Sequence, residues 1–354
     1  MNLMRWPARS AEQPSGSTRA PIRLNLVITG ASAGVGRATA HRFAHAGARI
    51  GLIARDEAAL ADVQREVEER GGEAVVVPAD VSSPEAVFAA AEKFEREIGP
   101  IDVWINDAMV TVFSPLSEMT ADEFRRVTEV TYLGCVYGTM AALRLMRPRN
   151  RGTIVQVGSS LAYRGIPLQS ASCGAKHAIR GFSNSLRCEL MHDRSNVHVT
   201  LVNLPAVNTP QFDWARTHMR YRPRPIPPVI EPEVAANAIF RAAHERNREY
   251  WLGLGTAEVI LGNMFGAAYL DRYLARTAYK AQMTGELLPA GRRDNLNHPV
   301  PDGHRTRGSF GNEATKRAPM LPAAATRAAA VATGIAAAGL LVVVGQKLLK
   351  ELRA

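Results

Sequence analysis

The stretch "LVITGASAGVGRATA", residues 26–40, decides how the rest of the chain is read. Apolar and β-branched residues run into Thr29-Gly30, and glycine returns at Gly34 and Gly36 before a small-residue segment of helical composition. A strand that turns tightly into a helix needs residues without a β-carbon, both where the backbone reverses and where the helix lies close on the strand. Such a turn leaves free N–H groups and the positive end of a helix dipole facing outward, a natural seat for a phosphate. The motif carries weight because the strand precedes it and the helix follows it.

The same strand-then-helix beat continues along the chain. Short apolar runs such as "ARIGLIA" (48–54), "EAVVVPAD" (73–80), "IDVWIND" (101–107), "GTIVQVGS" (152–159), "NVHVTLVNL" (196–204) and "REYWLGLG" (248–255) are separated by amphipathic segments such as "EAALADVQREVEER" (57–70). Apolar strands buried on both faces, each followed by a helix, predict a doubly wound α/β domain of the Rossmann type. Its parallel sheet would have about seven strands, with helices on both faces and ligands at the carboxyl ends of the strands.

Five regions follow from composition. Residues 1–21 read as a disordered leader and 22–256 as the dinucleotide-binding and catalytic domain. Residues 257–286 read as a helical extension and 287–325, rich in Pro, Gly, Arg and Asn, as a flexible basic linker. Residues 326–354 form a hydrophobic helix with a basic end. Its core, Ala328 to Gly345, is 18 residues without a charge, near the minimum for a membrane span. The run suits either a single C-terminal membrane anchor, leaving the catalytic domain cytoplasmic, or an Ala-rich helix packed on a partner.

Charge and cysteine content exclude other classes. The net charge of +10 is concentrated at the ends, since residues 291–354 carry ten Lys/Arg against four Asp/Glu. Residues 21–290 are left near neutral, so the pattern does not describe a nucleic-acid reader. Three cysteines without CxxC spacing give neither a disulfide framework nor a zinc site, and no cluster of metal-ligating residues is present.

The spacing T-G-x-x-x-G-x-G from Thr29 to Gly36 resembles the glycine signature of the short-chain dehydrogenase/reductase superfamily, and the resemblance runs through residues 22 to about 255. It implies a nicotinamide dinucleotide held by Thr29, Gly30, Ser32, Gly34, Val35 and Gly36, with Asp80 and Val81 at the adenine. Asn106, Ala108, Lys176 and Thr209 complete the implied set. The second strand ends in Ala54-Arg55 rather than in the acidic residue that would hold the ribose 2′-hydroxyl of NAD(H). A guanidinium there suits a 2′-phosphate, so NADP(H) is the expected cofactor, with Ser32 and Arg37 as helpers.

In the family a serine, a tyrosine and a lysine act beside the nicotinamide, with an asparagine holding a relay water. The phenol, its pKa drawn down from about 10 by the nearby ammonium, donates or accepts the proton of the reacting oxygen. Ser159 takes the serine role here and Lys176 the lysine role, but the tyrosine position is Ser172 and the asparagine position Thr131. The family's N-N-A-G reads Asn106-Asp107-Ala108-Met109. Losing a positioned acid costs roughly 10²–10⁴-fold. A water bridging Ser172 and Lys176, Tyr163 swinging in from the loop after Ser159, or an unusually acidic substrate would compensate; otherwise Tyr163 is a wall of the substrate pocket.

Two functions remain open from sequence. One is an NADP(H)-dependent oxidoreductase acting on a lipophilic carbonyl or alcohol; the other is an NADP(H)-binding pseudoenzyme serving as sensor or scaffold. The family habit of pairing through its long fourth and fifth helices, here residues 121–146 and 172–191, implies a homodimer.

Overall fold

The computed structural model describes residues 23–334. The expected leader 1–21 lies outside the described residues, as does the C-terminal apolar run from residue 335 onward.

The predicted beat becomes β1 (Asn25–Thr29), α1 (Gly34–Ala44), β2 (Arg49–Ala54), α2 (Glu57–Glu69), β3 (Glu73–Pro78), α3 (Pro84–Ile98) and β4 (Val103–Asn106). The second half follows with α4 (Ala121–Thr128), α5 (Gly134–Met146), β5 (Gly152–Ser159), α6 (Ser170–His192), β6 (Val197–Leu204), α7 (Pro232–His244), β7 (Glu249–Leu252) and α8 (Leu254–Ala281). Local chemistry starts the helices. Asp56 accepts the N–H of Ala59 ahead of α2, Ser83 accepts that of Ala86 with Pro84 at the first helical position, and Thr120 and Glu123 form a reciprocal cap on α4.

The strands pair in the order β7-β6-β5-β4-β1-β2-β3, all parallel. β1 and β4 are neighbours although five elements separate them, so the winding reverses there and a crevice opens at their carboxyl ends. Two apolar layers flank the sheet, one built on Leu26, Ile28, Phe43 and Tyr250 and the other on Val27, Phe94, Trp104 and Ile154. Between β4 and β5 a buried polar knot adds rigidity. Asn106 donates to Gln156 (2.8 Å) and Thr139 (3.1 Å), and Trp104 donates to Asn106 (2.9 Å).

The sequence reading is corrected downstream of residue 286. Residues 287–325, expected as a flexible linker, lie against the domain: the Leu296 side chain is fully buried, Phe310 is nearly so, and Met320–Pro322 adds an eighth strand, β8, antiparallel to β7. The composition is misleading because most of this segment is ordered by hydrogen bonds from Arg55 and Arg126 and to Asn208, with little regular structure of its own. Among the described residues no helix is long and apolar enough to cross a membrane.

A fully buried leucine is expected to be worth far more than a linker residue. Leu296→Ala is predicted to lower the free energy of unfolding by about 2–5 kcal/mol, read by urea or thermal denaturation. A change under about 0.5 kcal/mol, normal for exposed positions, would contradict the packing.

Candidate active site

The turn from β1 into α1 is closed by contacts that leave no room for side chains. Gly30 sits at φ +74°, and a β-carbon there would come within 2.8 Å of the Ala108 backbone. At Gly36 it would lie 2.2 Å from the Gly30 carbonyl oxygen. Thr29 Oγ1 accepts the N–H groups of Asp107 (3.1 Å) and Ala108 (3.2 Å), which ties the β1 and β4 loops together. The amino end of α1 therefore faces the crevice at a fixed height.

A cavity of about 460 Å³ occupies that crevice. Gly30, Ser32, Gly34 and Val35 line it from the glycine turn, and Arg55, Asp80 and Val81 line one end. Ala108, Ser159, Ser172, Lys176 and Thr209 line the rest. Thr29, Gly36 and Asn106, expected at the cofactor, stand behind the wall; Asn106 is corrected to a structural member of the β4–β5 knot, because both sides of its amide are already satisfied.

The three catalytic-frame residues converge. Ser159 closes β5 and its hydroxyl accepts the Leu161 N–H (3.2 Å). Lys176, buried on α6, donates to the Val157 carbonyl (2.8 Å). Ser172, one turn earlier, is buried and shares a 2.5 Å hydrogen bond with Thr111. Thr131 sits in a π-helical turn, Glu129–Leu133, and its hydroxyl both donates to the Val110 carbonyl (3.1 Å) and accepts the Val110 N–H (3.2 Å). It does not line the cavity; it holds the loop that does.

Tyr163 is corrected outright. Its phenol donates to the Glu249 carboxylate and accepts from Arg327 (2.7 Å), while the Arg180 guanidinium stacks on its ring at 3.8 Å. Asn203 and Trp251 donate to the same carboxylate (2.7 and 3.0 Å). Tyr163 is absent from the cavity lining, both as acid and as wall. Burial and the Glu249 charge push the phenol pKa up, opposite to the shift a proton donor needs.

Charged groups around the cavity are strongly perturbed. Burial pushes Asp107 up to about 7, against the Lys176 charge and a hydrogen bond from the Gly36 N–H, and burial pushes Lys176 down, against Asp107. Burial also works to raise Asp80, but hydrogen bonds from Arg126 and Ser82 hold it below the usual carboxylate range. Arg55, expected to face a 2′-phosphate, lines the cavity with two of its N–H groups committed to the carbonyls of Asn295 (2.5 Å) and Leu296 (3.2 Å).

Sequence reasoning missed two walls. Val259, Leu270, Tyr273 and Leu274 reach the cavity from α8, and Asn295 and His304 reach it from the segment expected as linker. The apolar residues of α8 offered a helical stripe but no signal of which neighbour they faced. Asp107 was visible only as a departure from N-N-A-G.

Comparisons with known proteins agree with this geometry. Residues 25–219 match the family model for short chain dehydrogenase. The chain is 34% identical over 260 residues to the uncharacterized oxidoreductase YxnA of Bacillus subtilis (strain 168), covering 73% of each chain. It is 33% identical over 203 residues to the 3-dehydrosphinganine reductase of Danio rerio, covering 54% of this chain and 60% of that one. Two solved structures superpose with TM-scores of 0.53 and 0.57. The first is a metagenomic short-chain oxidoreductase in complex with NADP, at 28% identity over 63% of this chain and 90% of that one. The second is an alcohol dehydrogenase from the archaeon Thermococcus sibiricus complexed with 5-hydroxy-NADP, at 25% identity over 65% and 96%. A family match over more than half the chain, on a crevice built from the glycine turn and the Ser159–Lys176 frame, makes this protein a member of the short-chain dehydrogenase/reductase family.

Proposed function

We propose that the chain is an NADP(H)-dependent oxidoreductase that moves hydride between a nicotinamide and a carbonyl or alcohol of lipophilic character. The observation that carries this reading is that Ser159, Ser172 and Lys176 open onto the same cavity as the glycine turn and Arg55. The cavity fits a dinucleotide: the glycine cradle at Gly30 and Gly36 would be filled by any β-carbon, and Arg55 offers its remaining donors at the end where an adenosine 2′-phosphate would lie. Apolar walls at Leu161, Ile166, Val259, Leu270 and Leu274 favour a lipophilic substrate, as does the reductase activity named for the zebrafish relative.

The bound nicotinamide would supply or take up the hydride. On the protein side, the Ser159 hydroxyl hydrogen-bonds the reacting oxygen and orients it. The Lys176 ammonium, fixed by the Val157 carbonyl, stabilises negative charge on that oxygen and holds a proton nearby. With Tyr163 bound to Glu249, the proton travels through a water bridging Ser172 and Lys176. The second reading, a dinucleotide-binding pseudoenzyme, is favoured by one observation: Ser172 is engaged by Thr111, and the Tyr163 phenol is bound to Glu249 away from the cavity.

The assembly reading is a homodimer through α4–α6, supported by exposed Phe124, Met140 and Met191 on those helices. The run Ala328–Gly345, followed by Lys347 and Lys350, supports a C-terminal membrane anchor on a cytoplasmic catalytic domain.

Three measurements test the site. NADPH oxidation over a carbonyl panel is expected to show slow turnover by the natural chain and a rise of about 10² in kcat for Ser172→Tyr. No turnover without the tyrosine but turnover with it would establish the pseudoenzyme, and equal rates would show that another group delivers the proton. Arg55→Ala is expected to weaken NADPH binding about tenfold more than it weakens NADH binding; equal loss for both would remove Arg55 from 2′-phosphate recognition.

The third concerns pH. Asp107 is neutral below its raised pKa and becomes a carboxylate above it, facing the Gly36 N–H at the end of α1 where phosphate charge is drawn. Lys176, which loses charge in the same direction, does not offset this. NADPH affinity should therefore fall as pH rises from about 6 to about 8, and Asp107→Asn should flatten the fall by roughly tenfold, ~1.4 kcal/mol of charge repulsion. Identical pH profiles for the two proteins would sink the assignment.

A further inference from the structure

Residues 291–310 cross the open edge of the cavity and are fastened on both banks. At one end Arg55 and Arg126 donate to the backbone carbonyl of Leu296 (3.2 and 3.1 Å), and the buried Leu296 side chain joins the apolar layer beneath β3 and β4. In the middle Arg37 donates to the His304 carbonyl (2.9 Å) and the Gly34 N–H donates to the Arg305 carbonyl (3.0 Å). On the far bank the N–H groups of Gly308 and Phe310 bond the Asn208 carbonyl (3.0 Å) and side-chain oxygen (2.9 Å), and the Asn295 N–H bonds the Trp214 carbonyl (3.0 Å).

Those anchors are the glycine turn, the tip of β2, α4 and the loop after β6, which border the crevice on opposite sides. The side chains of Asn295 and His304 line the cavity beneath the crossing. Each carries a buried polar atom without a hydrogen-bond partner: Oδ1 of Asn295 and Nδ1 of His304. Such atoms are rare in folded proteins and costly to leave unmatched. A ligand hydroxyl or amine beneath the crossing would match both, since an amide oxygen accepts and, with His304 Nε2 donating to the Val300 carbonyl (2.7 Å), the neutral ring presents Nδ1 as an acceptor.

Resting on the dinucleotide reading, we propose that residues 291–310 are a strap belonging to the cofactor site, with Asn295 and His304 as cofactor-binding residues over the adenosine half. Arg55 is then a shared element. Two of its donors fix the strap and so aim the others at the 2′-phosphate, which accounts for the carbonyl bonds of an arginine expected at that phosphate. A dinucleotide seated this way is released only when the strap lifts.

The test uses the full chain and two independent readouts. Hydrogen exchange of the amides in 291–310 is followed by mass spectrometry with no cofactor, with NADPH and with NADH. Dissociation constants are measured for NADPH, by fluorescence transfer from tryptophan, in the natural chain and in variants carrying Asn295→Ala, His304→Ala or both. The proposal expects exchange in 291–310 to slow at least tenfold on NADPH binding and the paired substitution to weaken NADPH at least tenfold. Exchange that is unchanged or faster in the presence of bound NADPH overturns it, whatever the variants do. If the natural chain binds neither NADPH nor NADH, the dinucleotide reading falls as well, so the two failures are separable.

Discussion

The close return of α1 onto β1 is the constraint on which the other features depend. With 2.2 Å between the Gly30 carbonyl and a β-carbon at position 36, no side chain fits, and the helix sits directly over the strand. That contact sets the height of the helix's amino end, and Thr29 transmits it to the loop after β4 through two backbone N–H groups. Because β1 and β4 are adjacent at the reversal of the winding, the two loops part and leave the crevice between them. The cavity follows from strand order and two glycines before any catalytic side chain is considered.

On the other side of the crevice the chain brings Ser159, Ser172 and Lys176 together with an altered electrostatic setting. Lys176 is buried and held by a backbone carbonyl, and its ammonium faces Asp107 rather than a phenol. A carboxyl in place of an amide at position 107 adds a titratable group to the cavity wall, and burial raises its pKa to about 7. Ser172 is too short to reach where a phenol would, and its bond to Thr111 keeps it small and fixed. The result is a site rich in binding features, in which the proposed proton path runs through short hydroxyls and water.

The parallel sheet, the glycine turn and the convergence of Ser159, Ser172 and Lys176 were legible in the sequence, since each is encoded locally by strand composition, by glycine spacing or by a fixed interval along one helix. Tyr163 was misjudged because its partners, Glu249 and Arg327, are 86 and 164 residues away and no local pattern announces them. The segment 287–325 was misjudged for a related reason. Its prolines and arginines carry no period, and its order comes from Arg37, Arg55 and Asn208, which read as cofactor or surface residues until the fold brings them to it. Asn106 shows the converse, a family motif residue whose amide is consumed within the sheet.

The central claim is that this frame moves hydride without a tyrosine at position 172. The most direct measurement is incubation of the full-length chain with carbonyl substrates and NADPH bearing deuterium at the nicotinamide C4, followed by mass spectrometry of the alcohols. The account predicts one deuterium on the carbinol carbon, at a rate that Ser159→Ala abolishes. A chain that binds NADPH yet yields no labelled alcohol across the panel would contradict it.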